Sequence, residues 1–195
     1  MIEENRSGTT IFTDPPAVRV LFGSTRWAWL WLVVRLYIGY NWIDASSAKL
    51  GNPAWMQTGT ALKGFWTAAV ASQPGGHAPI AFQWYRLFIE SLLASGAYIW
   101  FAKVIAFGEL LVGIALVLGV FTGIAAFIGG FMNWNFMMAG TASINPVLFT
   151  LSILLLLAWK NAGWLGLDRW LLPALGTPWK PGRLFARAPQ APPPV

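Results

Sequence analysis

The stretch from Phe101 to Gly140 constrains this chain most. It reads FAKVIAFGELLVGIALVLGVFTGIAAFIGGFMNWNFMMAG, two apolar runs joined by the tight connection Gly119-Val120-Phe121-Thr122-Gly123. One acid, Glu109, lies inside the first run. An ionised carboxylate in hydrocarbon is costly, so an intramembrane acid normally has a partner and often a function. The rest of the chain has to supply that partner, a wall around it and a lid over it.

Composition places such a hairpin in a bilayer. Of 195 residues, 56% are hydrophobic and 10% charged, whereas a soluble domain carries about 25% charged residues. Thirteen Trp and thirteen Phe suit rings that anchor at interfaces or line an apolar pocket. The net charge of +6 does not indicate nucleic acid, because the basic residues are scattered through termini and loops and form no dense stripe. The absence of Cys removes disulfides, thiol nucleophiles and iron–sulfur ligation. With one His, His77, two His of this chain cannot clamp a haem or a metal. His77 reads as a solvated loop residue in a turn-forming context.

In order, residues 1–26 form a polar arm, expected to be disordered or surface-lying, with no apolar core of a cleavable leader. Four spans follow, at about 27–49, 97–119, 122–140 and 145–160. Trp27, Trp29 and Trp31 collar the first. The segment between the first two spans holds two amphipathic pieces, Trp55 to Ala71 and Phe82 to Leu93, separated by a breaker run from Ser72 to Pro79. Both are too short to span and are read as helices packing over the bundle mouth. Residues 163–173 suggest an interfacial helix, and 174–195 a Pro-rich disordered tail. The expected fold is an all-α integral membrane protein, a four-helix bundle over residues 27–173. Three Lys/Arg precede the first span, and five (Lys160, Arg169, Lys180, Arg183, Arg187) end or follow the fourth. The positive-inside rule then places both termini in the cytoplasm of a cell membrane.

A rise of about 1.5 Å per residue puts Arg35 roughly 12 Å, Glu109 roughly 18 Å and Asn133 roughly 16 Å from the inner edge, one shared layer near the bilayer centre. Asp44 and Lys103 fall near the outer edge with Lys49 and Asn145. The layer reads in two ways. It is an Arg35–Glu109 ion pair holding the bundle together with Asn133 beside it, or it is a working site for proton relay or a polar head group. Asp44 is expected to pair with Lys49 or Lys103. Trp134 and Phe136 are ordinary packing or one wall of a slot for a flat ring.

These residues carry a resemblance. From about Trp27 to Pro173 the chain resembles the DoxX/DoxD family of small four-span membrane proteins. The carriers are Arg35-Leu-Tyr-Ile-Gly39 with Lys49-Leu50, Phe107-Gly-Glu109-Leu-Leu-Val-Gly113, Gly119-Val-Phe-Thr122, Asn133 to Phe136, Asn145-Pro146 and Gly166-Leu-Asp168. The resemblance implies a membrane redox subunit. Some members belong to thiosulfate:quinone oxidoreductase, which oxidises thiosulfate to tetrathionate and reduces quinone beside a second subunit, DoxA. Glu109 and Arg35 are then the candidate catalytic residues. Asn133, Trp134, Tyr40, Asp44, Lys49, Lys103 and Asn145 are candidates for holding quinone or substrate. The expected partners are the bilayer, a quinone as bound substrate, a DoxA-like subunit and further copies of the chain. The other readings are a non-catalytic anchor for a redox complex and, less well suited without an inverted repeat, a small transporter.

Overall fold

The computed structural model describes residues 2–4, 10–12, 14–71 and 79–176, with side chains from residue 14 onward. His77, most of the breaker run and the Pro-rich tail from residue 177 onward lie outside the described residues.

Helix ends fall where the sequence changes character. The first long helix, α2, covers Ala28–Leu50. α6 covers Tyr98–Leu118 and stops at Gly119, whose φ of 69° is left-handed. α7 covers Thr122–Met138. α8 covers Asn145–Leu157, with Pro146 in its first turn, where a missing N–H costs nothing. These four run up and down against one another. Gly39 and Ile43 of α2 meet Gly113 of α6. Gly108 meets Met132 of α7, and Gly123 and Gly130 of α7 meet Trp159 and Ser152 on the α8 side. Ile38, Trp42, Val112, Leu116, Ala125, Ala126, Leu148 and Leu155 fill the centre.

The two amphipathic pieces are helical, as expected from their spacing. They are α3 (Pro53–Met56) with α4 (Thr60–Val70), and α5 (Gln83–Ala94). Leu62, Trp66, Tyr85 and Ile89 bury against Ala102 of α6 and Ala139 beyond α7, forming a second core. The polar arm is more ordered than its composition suggested. A three-residue pair, Ile2–Glu4 with Thr10–Phe12, precedes helix α1 at Pro16–Gly23. α1 docks because the Trp31 indole donates to Leu21 O at 2.9 Å and Asn161 Nδ2 donates to Ser24 O at 2.7 Å. Trp31 is therefore buried beneath the arm and does not belong to an outer collar; Trp29 stays exposed.

The body is all-helical. Among the described residues one helix, α6, is long and apolar enough to cross a membrane by length and composition. α7 has 17 residues, α8 has 13, and α2 carries Arg35, Asp44 and Lys49. Polarity is nevertheless inverted across the bundle. Arg35, Glu109, Asn133 and Ser152 are buried, while Val33, Phe107, Leu111, Phe127, Phe131 and Leu157 are exposed.

The chain closes on its own central hairpin. Beyond α8, a short helix α9 (Trp159–Ala162) leads into a loop and then α10 (Asp168–Leu175). The Asp168 carboxylate accepts from Phe121 N at 2.7 Å and Thr122 N at 2.8 Å, capping the first turn of α7. The amides of Leu167 and Asp168 in turn donate to Leu118 O and Gly119 O, the last carbonyls of α6. Gly163 has to be glycine, since a Cβ there would collide with Asp168. Asp168→Ala removes two charge-assisted bonds and is expected to destabilise the protein by roughly 2–4 kcal/mol. Unfolding in mixed micelles measures this, with Asp168→Asn losing less.

Candidate functional site

Glu109 finds its counter-ion on α2. Lys49 Nζ lies 2.6 Å from Glu109 Oε2, with side-chain exposures of 17% and 1%. The same ammonium reaches Ala45 O at 3.3 Å and stands over the Trp55 ring at 5.3 Å. It thus bridges the bundle interior and the helices above.

The expected Arg35–Glu109 pair does not form. Arg35 Nη2 donates to Leu165 O at 3.0 Å. Its guanidinium packs on Gly119 and Gly166, where any Cβ would collide with it. The acid whose charge acts on it is Asp168. The cause is side-chain direction. In a helix Cβ leans toward the N-terminus. α2 and α6 are antiparallel, so Arg35 and Glu109 lean away from each other, whereas Lys49 and Glu109 lean together.

Asn133 keeps its expected level. Gly108 faces Met132 and Val112 faces Gly129, which sets Glu109 opposite the turn that bears Asn133. Asn133 is wholly buried, and neither amide atom has a hydrogen-bond partner among the described residues. The other candidates disperse. Tyr40 is 67% exposed on the outer face of α2. Asp44 and Lys103 are exposed, and among the described ion pairs neither binds the other or Lys49. Asn145 donates to Thr141 O at 3.1 Å at the start of α8. Of the loop cations, Lys63 lies over Tyr98 and Arg86 bonds to Glu90.

Trp134 and Phe136 do wall a slot. A cavity of about 550 Å³ lies between α4, α5, α6 and α7, lined by Phe65, Trp66, Tyr85, Phe88, Phe101, Ile105, Gly108, Met132, Trp134 and Phe136 among others. Trp134 stacks on Phe131 with ring planes 25° apart, and Trp66 meets Phe101 edge-on. Tyr85 enters from α5 and donates toward Asn135 O at 3.1 Å and Asn135 Oδ1 at 3.2 Å. Burial raises its phenol above the ordinary tyrosine value. Neither Tyr85 nor Asn135 was singled out from sequence. The available signal was helical spacing in Phe82 to Leu93, which places Tyr85 and Ile89 on one face.

The cavity and the ion pair are neighbours across one helix. Gly108 belongs to the cavity wall, and Glu109, the next residue, points to α2. The arrangement sets an apolar, ring-lined cavity on one side of α6 and a buried ion pair on the other. Among the described residues no group of three metal-ligating side chains comes together. Comparison of the chain with family models, curated proteins and solved structures gave no match.

The pairing is testable by double-mutant cycles on unfolding. Lys49→Met alone strands a buried carboxylate and is expected to cost roughly 3–5 kcal/mol, most of it regained in Lys49→Met/Glu109→Leu. Arg35→Met and Glu109→Leu should instead add within about 0.5 kcal/mol.

Proposed function

We propose that this chain is a DoxX/DoxD-like membrane protein with four spans and both termini in the cytoplasm. On this reading it is the quinone-interacting subunit of an oxidoreductase acting on thiosulfate or a related reduced sulfur compound. The observation that carries the reading is the aromatic cavity of about 550 Å³. It is of ligand size, almost wholly apolar, and walled by rings against which a flat ring can pack. Four spans are supported by the exposed apolar side chains on α2, α6, α7 and α8. A surface of that kind is rare on a soluble monomer. The sulfur donor and the DoxA-like partner are supported by the sequence resemblance.

The reaction balances as two thiosulfates, one quinone and two protons giving tetrathionate and quinol. Electrons come from the donor through the partner subunit, and the protons must reach the ring oxygens. On this reading the proton source is the Lys49–Glu109 pair, which lies across α6 from the cavity. Gly108 keeps the α6 wall thin. The partial exposure of Lys49 offers a way to replace the proton. Arg35, 14 residues from Lys49 at the other end of α2's pairing with α6, has no part in this transfer.

A second reading has a specific observation in its favour. Glu109 is paired through Oε2 with Lys49 and does not line the cavity, as it would in a non-catalytic anchor of a redox complex. Two measurements separate the readings. In proteoliposomes, decylubiquinone should quench the cavity tryptophans saturably, and Gly108→Leu should weaken that binding about tenfold. In membranes with the partner subunit, Glu109→Gln should lower thiosulfate-dependent quinone reduction on the order of 100-fold while binding persists. Unchanged turnover leaves the anchor, and absence of saturable quenching removes the quinone site.

A further inference from the structure

We infer that Tyr85 and Asn135 form the recognition point for a ring oxygen inside the cavity, holding a carbonyl when the ligand is oxidised and a hydroxyl when it is reduced. The inference rests on the cavity being a quinone site and adds how that site would read its ligand.

The geometry leaves the Tyr85 hydroxyl free to switch. It has one proton and two acceptors, Asn135 O at 3.1 Å and Asn135 Oδ1 at 3.2 Å. Both contacts are long for O–H···O bonds, and a phenol can serve only one acceptor fully at a time. The backbone acceptor does not depend on it, because Ala139 N also donates to Asn135 O, at 3.0 Å. The amide is held in orientation, since Asn135 Nδ2 donates to Phe131 O at 2.8 Å and Oδ1 is left to face Tyr85. No described residue directs a donor at the Tyr85 oxygen. The ring cannot swing far: it is 4% exposed and is flanked by Trp84, Phe88 and Trp134 at centroid distances of 5.5, 6.0 and 6.4 Å.

Rotation about the C–O bond therefore gives two states. In one, Tyr85 donates to a ring carbonyl. In the other, its proton returns to Asn135 Oδ1 and its lone pair accepts from a ring hydroxyl. A phenol is protonated at neutral pH, and burial only favours that form further, so both states remain available. The ligand class is a flat, lipophilic ring bearing a carbonyl that becomes a hydroxyl on reduction.

The test uses the full chain in proteoliposomes, with tryptophan quenching by decylubiquinone as the readout and two probes read by their displacement of it: its quinol, and a decyl-tetramethylbenzene without ring oxygens. Wild type should bind decylubiquinone about 5- to 10-fold more tightly than the hydrocarbon, the size of one buried hydrogen bond. Tyr85→Phe should abolish that preference and leave hydrocarbon affinity unchanged. Asn135→Ala removes the side-chain acceptor, leaves the returning proton only the backbone oxygen at 3.1 Å, and should raise the quinone-to-quinol affinity ratio about threefold. A purely structural role would weaken all probes equally. Binding of decylubiquinone with the preference intact in Tyr85→Phe and the ratio unmoved in Asn135→Ala overturns this inference alone. Failure of wild type to bind decylubiquinone saturably overturns the quinone site and the inference with it.

Discussion

Gly39 and Gly113 let α2 and α6 touch backbone to backbone. A Cβ on Gly39 would stand 3.0 Å from Gly113 O, and one on Gly113 would stand 2.9 Å from Gly39 O. Small residues at such a crossing are the means by which helices pack closely without relying on water. The crossing also fixes the register of everything else on those helices. Lys49 is brought level with Glu109 on one side of it, and Arg35 is brought over Gly119 on the other. At Gly129 of α7 the missing side chain admits the Trp42 indole, which joins the third helix to the same contact.

The buried charges consequently fall into two separate clusters. Lys49 and Glu109 sit beneath the α3–α5 helices. Arg35 and Asp168 sit at the α6–α7 turn, where Asp168 is committed to backbone amides. Between them lie Ile38, Trp42, Leu116 and Ala125. Such a middle zone has little to solvate a charge, which insulates the two polar clusters from each other.

Much of this fold was legible in the sequence, and the reasons differ by feature. The long helices followed from unbroken apolar runs and from breakers at Gly119 and Asn145-Pro146. The amphipathic pieces followed from helical spacing. The ion pairing did not, because depth counted along helix axes treats a side chain as level with its own Cα. Lys and Arg reach several ångströms along the axis, and their lean reverses between antiparallel neighbours. Trp134 could be read as a possible wall from its own segment, but the opposing wall comes from α4 and α5, far away in sequence. The order in the arm depends on Trp31 and Asn161, the latter some 140 positions from Leu21. No local pattern announces a contact at that separation. The dispersal of Tyr40, Asp44 and Lys103 to the surface has the same origin, since residue type gave their chemistry but not their facing.

The Asp168 clasp has a consequence for the order in which the protein can be completed. The α6–α7 hairpin is built early relative to the segment that caps both of its free ends. Until residues 163–168 have been synthesised, the hairpin carries unsatisfied amides and carbonyls at its turn, together with an Arg35 whose carbonyl partner does not yet exist. The α6–α7 turn is therefore completed only by residues that follow it by some 45 positions. The turn at the middle of the molecule is thus capped from its far end.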